Sequence, residues 1–192
     1  MPRPRVTAID AVLDAAATHL ALHGIAGTTV DDVAAAAGVS RATVYRYAGG
    51  QTEIVQAVIA RESEHVLAMT ATVISGAATA HEAISGAVST ALMAIGENPV
   101  LARLTSSELR ETLPFITTNS QLLIAHAVAS LSEALRSAPA VNVEDAAVEP
   151  AIEESTRFVL AHLTTPRSDG SRLTASDAGV RAALLIAPML AV

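Results

Sequence analysis

The chain of 192 residues reads as all-α, and three observations say so. Apolar residues recur at spacings of three and four along most of its length, which places one inward stripe on each successive segment. No stretch alternates apolar and polar residues with the period of two that a half-buried strand needs. Glycines and prolines gather between the periodic segments, at Gly24, Gly38, Gly49-Gly50, Pro99, Pro114 and Pro166, where helices stop or start.

The first helix is expected over residues 7–23, with Ile9, Val12, Leu13, Ala16 and Leu20 as its buried stripe, behind a short extended arm, Pro2-Arg3-Pro4-Arg5. Thr28 and Thr29 offer hydroxyls to cap a second helix opening at Val30. Asp31 and Asp32 fall in its first turn, where the positive end of the helix dipole favours carboxylates. Val30, Val33, Ala34 and Ala37 face inward, Gly38 supplies the left-handed turn, and Val39 pins it. Ser40 caps a third helix, 41–47, that buries Val44 and one edge of Tyr45.

A long helix follows over 51–74, with Ile54, Val55, Val58, Ile59, Val66 and Met69 inward. Helices are expected next over 79–96 and, started by Asn98-Pro99, over 100–105; Pro114 then breaks the chain. The segment 118–137 carries Leu122, Leu123, Ala125, Val128, Leu131 and Leu135. After a loop over 137–142, Glu149-Pro150 opens a helix with Ile152, Phe158, Val159, Leu160 and Leu163. A linker at 166–171 leads to Thr174, which caps a last helix containing Val180, Leu184, Leu185, Ile186 and Met189.

The third helix leaves Arg41, Ala42, Thr43, Arg46 and Tyr47 facing outward. These types suit a DNA groove: arginine forks onto guanine or phosphate, alanine and the threonine methyl touch a thymine methyl, and tyrosine hydroxyls reach phosphate oxygens. Taken alone, a glycine turn and a serine cap fit a packing hairpin in any helical bundle equally well. The surroundings add to it. Residues 12–53 closely resemble the N-terminal domain of the TetR family of bacterial transcriptional regulators, in the His23-Gly24-Ile25 stop, the Thr28-Thr29-Val30 start, the Ala37-Gly38-Val39-Ser40 turn and Thr43-Val44-Tyr45. The resemblance implies a three-helix helix-turn-helix DNA-binding domain over residues 1–50 and a C-terminal helical ligand-binding and dimerisation domain over 51–192. It also implies DNA contacts from Thr29, Ser40, Arg41, Ala42, Thr43, Tyr45, Arg46, Tyr47 and Gln51.

Three positions depart from the family pattern. Ala48 replaces a usual aromatic, which thins the small core; Gln51 replaces a phosphate-clamping lysine, which removes a charge; Gly49-Gly50 makes for a loose link. The last two helices are apolar around much of their circumference and need burial on several sides. The family likeness implies that they pair with their copies in a homodimer, setting two reading helices about 34–36 Å apart on a palindromic double-stranded operator. It further implies a small-molecule effector inside the C-terminal helices. Beyond residue 61 the aromatics are Phe115 and Phe158, so a small, mainly apolar ligand is expected, lined by Met69, Met93, Leu104, Phe115, Leu123, His126 and Phe158. Glu108, Arg110 and Glu111 are candidate polar anchors, or a solvated face.

Composition narrows the alternatives. There is no cysteine, hence no disulfide or thiolate chemistry. The net charge is −7, and residues 62–192 hold seven arginines against fourteen acids, while residues 1–61 balance five against five. Such a chain does not coat nucleic acid indiscriminately. All 12 cations are arginines. The hydrophobic fraction of 51% and mean hydropathy of +0.44 come largely from alanine, and the most apolar run, 182–192, is about half the roughly twenty residues a membrane helix needs. With no apolar leader at the N-terminus, a cytoplasmic location is expected. His19 and His23 have metal-compatible spacing but lack a third ligand, so neither metal nor cofactor is expected. The scattered His65, His81, His126 and His162, with no phosphate loop and no nucleophile elbow, give an enzyme little support. The remaining rival is a dimeric ligand- or partner-binding bundle whose reading head is weakened.

Overall fold

A computed structural model describes residues 8–138, 141 and 143–190. The Pro2–Arg5 arm, Thr7 and most of the 139–142 loop lie outside them. Among the described residues there are ten α-helices and no strand: α1 (Ala8–His23), α2 (Val30–Ala37), α3 (Arg41–Ala48), α4 (Gln51–Ser75), α5 (Ala80–Glu97), α6 (Pro99–Ser106), α7 (Leu109–Ile116), α8 (Gln121–Arg136), α9 (Asp145–Thr164) and α10 (Ala175–Ile186), which runs on into a 3-10 turn, Ala187–Leu190.

The chain divides into two compact units, residues 1–62 with 99–111, and residues 63–98 with 112–192. In the first, α1 packs on α2, α3 and α6. Its core is Val12, Ala16, Leu20, Val33, Val44, Ile54, Val55, Val58 and Leu104. The stripe of α1 is narrower than its sequence suggests, because only the i, i+4 row Val12-Ala16-Leu20 is covered while Ile9 stays exposed. Ala48 is buried as the last residue of α3, which extends one residue past the expected end.

The link after α3 is fixed rather than loose. Gly49 sits at φ 76°, ψ −152°, a region essentially reserved for glycine, and the Gly50 N–H donates to the Glu53 carboxylate at 3.0 Å. A second local clamp ties α6 to the end of α1. Glu108 Oε2 accepts the Ile25 N–H at 2.6 Å, and Oε1 accepts from Arg103 Nε at 3.1 Å. Gly24, at φ 72°, lies under this carboxylate, and a Cβ there would stand 1.5 Å from Glu108 Oε1. Glu108 is therefore a structural strap within the first unit and not a polar anchor of a ligand pocket.

In the second unit α10 packs on α5 through small residues, with Ala178, Gly179, Ala182 and Ala183 all buried. A Cβ on Gly179 would lie 2.4 Å from the Ser85 carbonyl oxygen, so this crossing requires glycine. Ser89 Oγ donates to the Ala175 carbonyl at 3.1 Å across the same seam. Helices α8 and α9 pack together and join this core through Leu131, Leu135, Val148, Ala151, Ile152 and Val159.

Three sequence expectations are corrected here. Pro114 lies inside α7 and Pro150 inside α9, each the sixth residue of its helix. A proline there removes one backbone bond and need not end the helix when the neighbouring turns are packed. Helix α9 accordingly opens at Asp145, before the Glu149-Pro150 start. Helix α8 opens at Gln121 and is rotated from the expected stripe: Ile124 and Ala127 are buried, while Leu122 is exposed.

Candidate nucleic-acid interface

The reading head is built by local hydrogen bonds. Thr29 caps α2: its Oγ1 accepts the Asp32 N–H at 3.2 Å, and the Asp32 carboxylate accepts the Thr29 N–H at 3.0 Å and its hydroxyl at 2.6 Å. This reciprocal box, with Asp where Glu is usual, holds the Asp32 carboxyl below the ordinary range, chiefly through the Thr29 hydroxyl and then the Thr29 backbone N–H. Thr28 does not cap. Its hydroxyl turns back to donate to the Gly24 carbonyl at 2.7 Å.

Gly38 closes α2 in the left-handed conformation, φ 67°, ψ 31°, and the Val39 N–H donates to the Ala34 carbonyl at 3.0 Å. Ser40 Oγ accepts the Thr43 N–H at 3.1 Å and caps α3. Val44 and Ala48, one turn apart, are the buried residues of α3. They turn the opposite side outward, so Arg41, Ala42, Tyr45, Arg46 and Tyr47 are all exposed. Arg46 lies over the Tyr47 ring, 4.7 Å from its centroid, an arrangement that stiffens both side chains. Arg41 forms an ion pair with Asp31, its Nε 2.6 Å from Oδ1.

The other expected contacts are placed differently. Thr43 is half-buried and pairs its hydroxyl with that of Ser40 at 2.9 Å, while Thr29 and Ser40 spend their hydroxyls on the caps. Gln51 is a correction. Its Nε2 donates to the Ile25 and Thr28 carbonyls at 2.7 and 2.9 Å, so both amide hydrogens are used and no donor remains for phosphate. The corner between α1 and α2 leaves those carbonyls without helical partners, and a glutamine at the first position of α4 reaches them. Sequence reasoning also read Asp31 only as a dipole-complementing acid. Its pairing with Arg41 spans ten residues and a glycine turn, beyond any i, i+4 signal.

The seven expected ligand-lining residues differ in burial. Leu104 is core of the first unit, Met69 and Met93 are exposed, and Phe115, Leu123 and His126 are half-buried. Phe158 alone among them borders a cavity of about 450 Å³ at the end of α9, together with His162, Leu173, Arg167 and Arg181. Burial, and then the Arg172 guanidinium, push the His162 imidazole below its usual pKa, against an opposing backbone hydrogen bond at Leu173. Helix α10 and the turn after it leave Val180, Leu184, Leu185 and Met189 bare, whereas the outward side of α9 carries Glu153, Glu154 and Arg157 in ion pairs.

Two short helices locked at a glycine turn, the second presenting arginine and tyrosine to solvent, define a helix-turn-helix DNA-binding transcription regulator. The family model for bacterial regulatory proteins of the tetR family matches residues 12–58, that for the bacterial tetracyclin repressor C-terminal domain matches residues 79–183, and the chain belongs to the TetR family. Among solved structures it is similar to the TetR family repressor AlkX from Dietzia sp. strain DQ12-45-1b, implicated in biodegradation of n-alkanes (24% identity, TM-score 0.77, 97% of this chain and 96% of that one). It is similar in fold to the fatty acid degradation regulator FadR from Bacillus halodurans (18%, TM-score 0.56, 97% of each chain). A third likeness is to AibR, solved in complex with isovaleryl coenzyme A and operator DNA (17%, TM-score 0.51, 95% of this chain and 99% of that one). No curated protein matches the sequence.

Proposed function

We propose that the protein is a homodimeric repressor that holds a palindromic operator through α3 and leaves it when a small, mainly apolar ligand fills the second unit. The observation that carries this reading is the exposed row Arg41, Ala42, Tyr45, Arg46 and Tyr47, fixed from behind by Val44 and Ala48. The bare apolar side of α10 supports a two-fold partner, since Leu184 and Leu185 are each more than 60% exposed and a second copy offers the same surface. The cavity beside Phe158 has the size of a small-molecule site. AlkX and FadR, named for alkane and fatty acid metabolism, agree with an apolar effector. The chain passes between its two units at 62/63, 98/99 and 111/112, so ligand binding in one is relayed to the other through α4 and the clamped segment 99–111. Among the described residues no helix is long and apolar enough to cross a membrane, which fits a regulator acting on cytoplasmic DNA.

Electrophoretic mobility of duplexes from around its own coding region tests this. We expect a shift at low salt that Arg41→Ala and Tyr45→Ala weaken. No shift from an intact dimer would leave a ligand- or partner-binding bundle, the reading favoured by the loss of a phosphate donor at Gln51.

A further inference from the structure

We propose that Asp31 is a positioning residue that sets base specificity, holding Arg41 so that it reads a guanine edge rather than a phosphate. The inference rests on α3 being the DNA-reading helix. Asp31 is not needed for the α2 cap, which Thr29 and Asp32 complete between them. Its carboxylate instead meets Arg41 Nε at 2.6 Å, with the two side chains 57% and 65% exposed. An ion pair that wet adds little to stability, so its effect falls on where the guanidinium points.

Guanidinium has five N–H donors in a plane, and the charge of Asp31 draws that group to the start of α3. The Asp31 carboxylate lies against Nε as an ion pair and leaves both terminal amino groups, which bond nothing else among the described residues. Those two groups form the parallel fork that matches O6 and N7 of guanine in the major groove. Arg41 is also the first residue of α3, and it is the N-terminal residues of a reading helix that reach base edges. The acid beside it disfavours the other partner. A phosphate approaching Arg41 also approaches the Asp31 carboxylate and is repelled, whereas the neutral acceptors of a base edge are not. Arg46 makes the contrast: it stacks on Tyr47 with no acidic partner among the described residues and keeps its full charge for the backbone.

Selection of bound duplexes from a random pool by the full-length protein tests the assignment without knowledge of the operator. The unaltered protein selects a guanine at one position of each half-site, and Arg41→Ala and Arg41→Lys lose that selection. Asp31→Ala weakens the guanine preference there about tenfold, while its affinity for unrelated duplex rises because a repelling charge is gone. Asp31→Asn, which keeps the shape of the side chain but not its charge, loses the preference as Asp31→Ala does, because the contact is an ion pair. Unchanged melting temperatures show that the variants are folded. An undiminished guanine preference in Asp31→Ala overturns the proposal. So does an Arg41→Ala protein with an unaltered base profile and a salt slope lowered by about one, the mark of a phosphate contact. Failure of the unaltered protein to select any sequence overturns the DNA-reading function itself and is told apart by that result.

Discussion

Helices α3 and α10 are each attached by a short row of buried residues, Val44 with Ala48 in one and Ala178, Gly179, Ala182, Ala183 and Ile186 in the other, and each leaves its far side bare. The bare sides are chemically opposed. Helix α3 shows arginines and tyrosines, Arg41 paired with Asp31 and Arg46 stacked on Tyr47, a surface that suits charged, hydrated duplex. Helix α10 and the turn after it show Val180, Leu184, Leu185 and Met189, which suit only another apolar face. Attachment by small residues thus fixes where each helix lies, and the outward residues alone decide what it meets.

The largest test of that contrast is Leu184→Glu with Leu185→Glu. Charging the centre of the α10 face raises the dissociation constant of the proposed dimer on the order of a thousandfold, read by sedimentation, with helical content retained. Gly179→Val attacks the attachment instead. Its methyl groups must displace the Ser85 backbone, costing about 2 kcal/mol in urea unfolding. On the other helix, Arg46→Ala weakens binding about tenfold across all sequences and lowers the salt slope by about one, leaving the dimer intact. Thr29→Ala removes one half of the α2 cap and costs about 1 kcal/mol of stability, seen in the same urea experiment.

The smallest effect is a pH dependence from the second unit. Folding lowers the His162 pKa, so the unfolded chain takes up the proton more readily. This group leaves stability untouched above the unfolded value of about 6.5 and erodes it as pH falls below. His162→Gln flattens the melting temperature between pH 7 and 5.

The head was readable from sequence because its caps are local: Thr29, Gly38 and Ser40 each bond backbone within five residues of themselves. What escaped depends on distant partners. Gln51 meets carbonyls more than twenty residues away, and Glu108 meets Ile25 across 83. The division of the chain has the same cause, since nothing in the composition of 99–111 says that it folds with α1. Prolines misled at α7 and α9 because packing outweighs a single missing bond. The phase of α8 was hidden by three successive apolar residues, Leu122, Leu123 and Ile124, any of which suits a core. The ligand residues were chosen for their size and aromaticity, properties that carry no information about which helices enclose a space.

Helix α4 runs unbroken from Gln51 to Ser75, a shaft of about 37 Å. Its first residue is stapled to the corner that opens α2, by the two bonds from Gln51 to Ile25 and Thr28. The start of α4 is thus set by the main chain of the corner before α2, and the two helices begin from one shared anchor.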